Sequence, residues 1–315
     1  MLFMDKYVIL TDVTSDISED IRKSFGVRDY VHGYVSFSDG RDLKTYMDWS
    51  QISREEFYAA LSNKRLTVST APASPEEYYE IFRKYAEVGY DILSMSISSK
   101  ISSTFSVAQK AAARVSEEFP ECKIYCFDSQ RMSGALGLLV LYAHELQNSG
   151  SSMEEVIDWL EQNKSRVHQM GPIDDLMFIA RRGRISTGKA IMGSFAGVKP
   201  MGDCNTDGYV SVLGKAKGIK RALKATAAYV KALATEPQEQ ILLVVHSNRE
   251  EYAVQLKELL EAQLQPGQVL LSDSFSASGT NIGPGMIGVY FLGEPITENN
   301  TVEKETLTRL LEECR

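Results

Sequence analysis

The sequence predicts an α/β protein in two parts, an N-terminal three-layer domain on a parallel sheet over residues 1–167 and a C-terminal two-layer α/β domain over residues 168–315. Three observations carry this reading. Short apolar strands alternate with capped helices through the first half, the pattern of a parallel sheet with helices on both faces. Three of those strands end in polar turns, at Thr11-Asp12, Ser98 to Thr104 and Asp128-Ser129. Ligands of such sheets bind outside the carboxyl ends of the strands, so these turns should gather at one edge. After about residue 168 the alternation changes to one sheet covered by helices on one face.

The elements follow in order. Lys6 to Thr11 is a first strand, and a helix after Asp16 runs to Phe25, with Gly26 as its C′ residue. Tyr30 to Ser38 alternates like a strand and turns at Ser38-Asp39-Gly40. Ser53 and Glu56 form a capping box ahead of the next helix. Lys64 to Pro72 gives a short strand with hydroxyls at Ser69 and Thr70. Ser74, Pro75 and Glu77 start a helix that runs to about Val88 and ends at Gly89.

The stretch from Leu93 to Val115 is the most informative. A strand from Asp91 to Ile97 breaks into Ser98-Ser99-Lys100-Ile101-Ser102-Ser103-Thr104 and leaves as a helix from Phe105 to about Glu118. Hydroxyls at a helix start cap its free N–H groups, and those groups with the helix dipole favour an anion. Capping alone needs one hydroxyl, and here five fall within seven residues. A socket for an anionic ligand is the functional reading, and plain capping is the structural one.

Lys123 to Phe127 is another strand, and Gly134 to Gln147 is a helix of small and apolar residues suited to burial. Ser152 and Glu155 cap a helix to about Val167. In the second half, Ile173 to Arg182 reads as a short helix, Lys189 to Ala196 as another, Tyr209 to Lys215 as a strand and Ile219 to Leu233 as a helix. Ile241 to Val245 is a strand, Ser247 and Glu250 cap a helix to about Leu264, and Val269 to Leu271 and Ile287 to Phe291 are the last strands.

Composition narrows the function. A net charge of −8 with no basic stripe argues against nucleic acid. No apolar run approaches the ~20 residues that span a bilayer, and the N-terminus has no cleavage-site pattern, so a cytoplasmic protein without stable membrane insertion is expected. Cys122, Cys126, Cys204 and Cys314 have no zinc or redox spacing and read as free thiols. Gly183 to Ala190 nearly matches a phosphate loop, but Ala190 stands where a metal-holding hydroxyl is needed and the loop follows a helical segment. Gly283 to Gly288 leads into a strand and so lacks the context of a dinucleotide fingerprint. Ser194 lies one place too early for a nucleophile elbow. The four histidines, His32, His144, His168 and His246, are all remote in sequence from the serine turns.

Seven signatures in order resemble the DegV family over nearly the whole chain. Thr11-Asp12-Val13-Thr14-Ser15-Asp16 is similar to its opening TDSTSDL, and Ser69-Thr70-Ala71-Pro72 stands in place of its TSQP. Ser98 to Phe105 resembles its SSKLSGTY, and Asp128-Ser129 its strand-end DS. Gly183-Arg184-Ile185-Ser186 matches GRIS, Val198-Lys199-Pro200 resembles IKP, and Gly283 to Gly288 resembles the closing GPGALG. The resemblance implies a DegV-like fold that binds one long-chain fatty acid between its two domains. It also implies a carrier with no catalysis of its own, which presents the acid to a separate fatty acid kinase. No metal or cofactor is implied beyond the bound acid.

Carried over by position, the carboxylate ligands fall at Ser69 and Ser102, with Thr70 as the alternative if the socket shifts by one. Asn281 stands where the family commonly has His; it can donate a hydrogen bond but carries no charge. Arg184 is the nearest positive charge, with a domain-interface salt bridge as its structural reading. With Ser98 and Thr280 these complete the expected ligand-binding set. Met170, Met177, Phe178, Ile191, Met192 and Phe195 are expected tail-tunnel walls. Two rivals stand beside the carrier: a small-anion sensor without a lipid tunnel, and an esterase for acyl or phosphate esters using Ser102 or Ser69.

Overall fold

The computed structural model describes residues 6–185 and 197–314. The first half contains β1 (Tyr7–Asp12), α1 (Glu19–Phe25), β2 (Tyr30–Val31), β3 (Gly33–Phe37), β4 (Asp42–Lys44), α2 (Arg54–Ser62), β5 (Val68–Pro72), α3 (Pro75–Ala86), β6 (Asp91–Ser96), α4 (Thr104–Glu118), β7 (Ile124–Asp128), α5 (Gly134–Asn148) and α6 (Met153–Asn163). The second contains β8 (Val167–Met170), α7 (Leu176–Arg181), β9 (Val198–Cys204), β10 (Val210–Lys217), α8 (Ile219–Leu233), β11 (Ile241–His246), α9 (Glu250–Leu264), β12 (Gln268–Asp273), α10 (Ser276–Ile282), β13 (Ile287–Leu292) and α11 (Thr301–Glu313).

The first sheet is parallel, in the order β2-β1-β6-β7. Its strands alternate faces. Leu10 and Ile92 pack with Tyr78 and Phe82 of α3 and Ala108 and Val115 of α4. Ile9, Leu93 and Met95 point the other way and join the cluster that holds Leu136 and Leu139 of α5. This is the expected three-layer half. The second sheet has the order β12-β11-β13-β8, with β11 and β12 parallel and β13 antiparallel to both β11 and β8. Leu242, Val244, Val289 and Phe291 pack with residues of α8, α9 and α11. Leu243, Val245 and Tyr290 face the cluster around α5.

Helix α5 is therefore shared by both sheets, which explains why it is apolar nearly all round. Its glycines set the spacing. A β-carbon at Gly134 would lie 2.5 Å from the Tyr290 ring, and one at Gly137 would lie 2.4 Å from the Ser15 carbonyl oxygen. A third, antiparallel sheet, β4-β3-β5, packs with α2 and touches α10.

Several boundaries differ from the sequence reading, for local reasons. The helix expected to reach Val167 ends at Asn163; Lys164–Arg166 tightens into a 3-10 turn, and Val167 opens β8. Ser247 does not cap α9: the helix follows Arg249, and the Ser247 hydroxyl accepts the Met286 N–H at 2.8 Å. The caps at Ser74 and Ser152 form complete boxes, whereas Ser53 accepts only the Glu56 N–H. The short strand β4 and the helices α10 and α11 carry too little periodic signal, or lie too near the end, to be read from the sequence. The helix expected from Lys189 to Ala196 lies outside the described residues.

Candidate functional site

A cavity of about 260 Å³ opens at the carboxyl ends of β1 and β6. Its polar lining comes from separate segments: Thr14 after β1, Thr70 on β5, Ser102 before α4, and Ser278 and Asn281 on α10. Its apolar lining includes Ile97, Ile101, Met132, Ile173, Ile179 and Met286.

The local geometry follows from the turn chemistry. Ser102 Oγ accepts the Thr104 N–H at the start of α4 (3.3 Å) and shares a hydrogen bond with Thr104 Oγ1 (2.8 Å). The Asn281 amide nitrogen donates to Thr70 Oγ1 and to the Ala277 carbonyl, each at 3.2 Å. Arg184 is the one arginine or lysine lining the cavity among the described residues, and its guanidinium donates to the Arg182 carbonyl. Arg182 in turn donates to the Val68 carbonyl at 2.7 Å, tying the end of α7 to β5.

Two buried carboxyls border this polar end. Asp12 lines the cavity; its Oδ1 accepts the Thr14 N–H at 2.8 Å and the Thr14 hydroxyl, and its Oδ2 accepts the Ile97 N–H at 2.8 Å. Burial raises its pKa despite these bonds, which favour the anion. Asp16 lies behind the wall, fully buried on a left-handed backbone with φ of 52°. Its Oδ2 accepts the hydroxyl of cavity-lining Ser133 at 2.6 Å, and its Oδ1 accepts the Phe275 N–H at 3.1 Å. Burial pushes the Asp16 pKa up to about 8.

Of the residues expected from the sequence, Thr70, Ser102, Asn281 and Arg184 line this one cavity. Ser69, Ser98 and Thr280 are not among its lining residues. Ser69 is exposed on β5, opposite Ser36 in the register. Ser98 is buried and accepts the Lys100 N–H at 3.3 Å within its own turn. Thr280 is buried and donates to the Ser276 carbonyl at 2.8 Å. Among the expected walls, Met170 lines the cavity, Met177 is exposed, Phe178 packs near Gly283, and Ile191, Met192 and Phe195 lie outside the described residues. Sequence reasoning gave no role to Asp12, Thr14 or Ser278. The first two were visible as a polar strand end, and Ser278 belongs to a seven-residue helix of small residues. Among the described residues there is no cluster of His, Cys, Asp and Glu able to hold a metal, and no helix long and apolar enough to cross a membrane. The cysteines are free thiols.

The family model described as "Uncharacterised protein, DegV family" matches residues 6–294. The chain belongs to the DegV family. A DegV domain-containing protein of Caldanaerobacter subterraneus is 30% identical over 288 residues, which cover 91% of this chain and 99% of the relative. A solved DegV family protein from Thermus thermophilus, described for its fatty acid binding, is 28% identical with a TM-score of 0.81, covering 91% of this chain and 99% of that one. DegV of Bacillus subtilis, described as a fatty acid binding protein, is 25% identical with a TM-score of 0.73, covering 92% and 100%. Five of the seven DegV signatures converge on the cavity: Thr11 to Asp16, Ser69 to Pro72, Ser98 to Phe105, the described part of the Gly183 signature and Gly283 to Gly288 each contribute lining residues, whereas Asp128-Ser129 and Val198 to Pro200 do not.

Proposed function

We propose that this DegV protein is a cytoplasmic carrier that binds one long-chain fatty acid between a first part, residues 1–167, and a second, residues 168–315. The carboxylate lies at Thr70 and Ser102, with Asn281 behind Thr70, and the tail runs along the apolar lining. The observation that carries this reading is one cavity combining a hydroxyl-and-amide end with isoleucine and methionine walls. Hydroxyls and helix N–H groups hold a carboxylate through charge-assisted hydrogen bonds. Each buried CH₂ contributes about 0.8 kcal/mol, so a sixteen-carbon tail supplies on the order of 10 kcal/mol before ordering costs.

The cavity itself favours the carrier over an anion sensor, which would need a filled core beneath the turns. An esterase needs a base on its serine, and the hydroxyl partner of Ser102 is Thr104. The protein then presents its acid to a separate fatty acid kinase, the chemistry of the acyl phosphate being the kinase's own.

The test is palmitate binding to delipidated protein. Thr70→Ala and Ser102→Ala each remove a hydrogen bond to a charged group, so each should weaken binding by on the order of ten-fold or more. With a fatty acid kinase and ATP, hydroxylamine-trapped acyl phosphate should depend on the loaded carrier. Unchanged affinity in both variants would move the carboxylate away from this end.

A further inference from the structure

We infer that Asn281 fixes the hydrogen-bond polarity of Thr70, turning its hydroxyl hydrogen into the cavity, so that the site selects an ionised carboxylate over an alcohol of the same chain length. The inference rests on the fatty acid reading above and assigns the specificity of its polar end to a residue that supplies no charge.

The argument is one of donors and acceptors. The Ala277 carbonyl can only accept, so the amide edge facing it at 3.2 Å must be the NH₂ group. The same nitrogen lies 3.2 Å from Thr70 Oγ1. One N–H therefore goes to Ala277 and the other to Thr70. A threonine hydroxyl has one hydrogen and two lone pairs. With a lone pair taken by Asn281, the hydrogen of Thr70 is left to donate, and Thr70 lines the cavity. Ser102 is held less strictly: its oxygen receives the Thr104 N–H and also shares a hydrogen bond with Thr104 Oγ1, in which either hydroxyl can donate. Thr70 is thus the hydroxyl whose polarity an N–H group behind it fixes, with its hydrogen in front.

A carboxylate offers acceptors only and makes the stronger, charge-assisted bonds. An alcohol offers a weaker acceptor and a hydrogen with no partner. Exchanging Asn281 for Asp reverses the arrangement. A carboxylate at 281 accepts the Thr70 hydrogen, and the Thr70 lone pairs then face the cavity.

The experiment measures affinities for palmitate and for hexadecanol in the full-length delipidated chain, wild type and Asn281→Asp, with Thr70→Val as a second background. Wild type should prefer palmitate. Asn281→Asp should lose palmitate affinity by on the order of ten-fold or more while losing less for hexadecanol. In the Thr70→Val background the same substitution should cost markedly less, because the group through which it acts is gone. An equal palmitate loss in both backgrounds would mean simple charge repulsion and would overturn the inference, as would an unchanged acid-to-alcohol ratio. Asn281→Ala runs the same cycle without new charge and decides the question if the Asp variant does not fold: its palmitate loss should vanish in the Thr70→Val background, and persistence there overturns the inference. Wild type that binds neither ligand would overturn the fatty acid reading itself, a result distinct from all of these.

Discussion

At Asp16 a carboxyl is fully buried, and its two oxygens accept from Ser133 and Phe275. Burial lifts its pKa from an ordinary value near 4 to about 8. The unfolded chain ionises this group above about pH 4, whereas the folded chain keeps the proton until about pH 8. Its contribution to stability is therefore full below pH 4 and declines as pH rises toward 8, by up to about 1.4 kcal/mol per pH unit. Asp16→Asn mimics the protonated acid and removes this dependence. Urea unfolding at pH 5 and pH 8 should show the variant gaining on wild type at the higher pH, and parallel pH profiles would refute it. The residue scale is also where the sequence was least sufficient. Ser69 and Thr70 are adjacent, both hydroxyl-bearing, and a strand sends neighbours to opposite faces. The pairing of Thr70 with Val35 on β3 is a long-range fact that places Thr70 in the cavity wall and leaves Ser69 exposed.

At the scale of elements, local chemistry was legible where it was complete. Ser74 with Glu77 and Ser152 with Glu155 carry both halves of a capping box, and both helices start there. Ser247 with Glu250 has the same spacing, yet tertiary context wins: the loop before β13 brings the Met286 N–H to the serine. Met286 also lines the cavity, so Ser247 supports the site's floor. Ser247→Ala leaves that buried N–H without its acceptor, at a cost of about 1–3 kcal/mol. Thermal unfolding checks the size of the effect, and hydrogen exchange its place. Fast exchange at Met286 with α9 still protected is the expected pattern, whereas fraying of the first turn of α9 would restore the capping role. The helix α10 escaped notice because Ser276–Ile282 is short and rich in small residues, although it carries Ser278 and Asn281.

At the scale of the whole molecule, the strand and helix alternation was enough to give the parallel first sheet and the strand ends on which the cavity opens, whereas the antiparallel β4-β3-β5 and β10-β9 sheets were not legible in it. The role of α5 as a shared layer was only half visible. Its apolar composition announced burial, but that it packs between two sheets follows from the close approaches at Gly134 and Gly137. One apolar cluster consequently runs from Tyr7 to Ile296 through both halves. The cavity draws its lining from both halves as well, so a bound fatty acid would tie them together. The most direct measurement is mass spectrometry of an organic extract from the purified protein, quantified per chain. The account predicts one long-chain fatty acid per chain, lost from the extract when Thr70 and Ser102 are both replaced by Ala. An empty extract from a wild-type protein that also takes up no added fatty acid would contradict it.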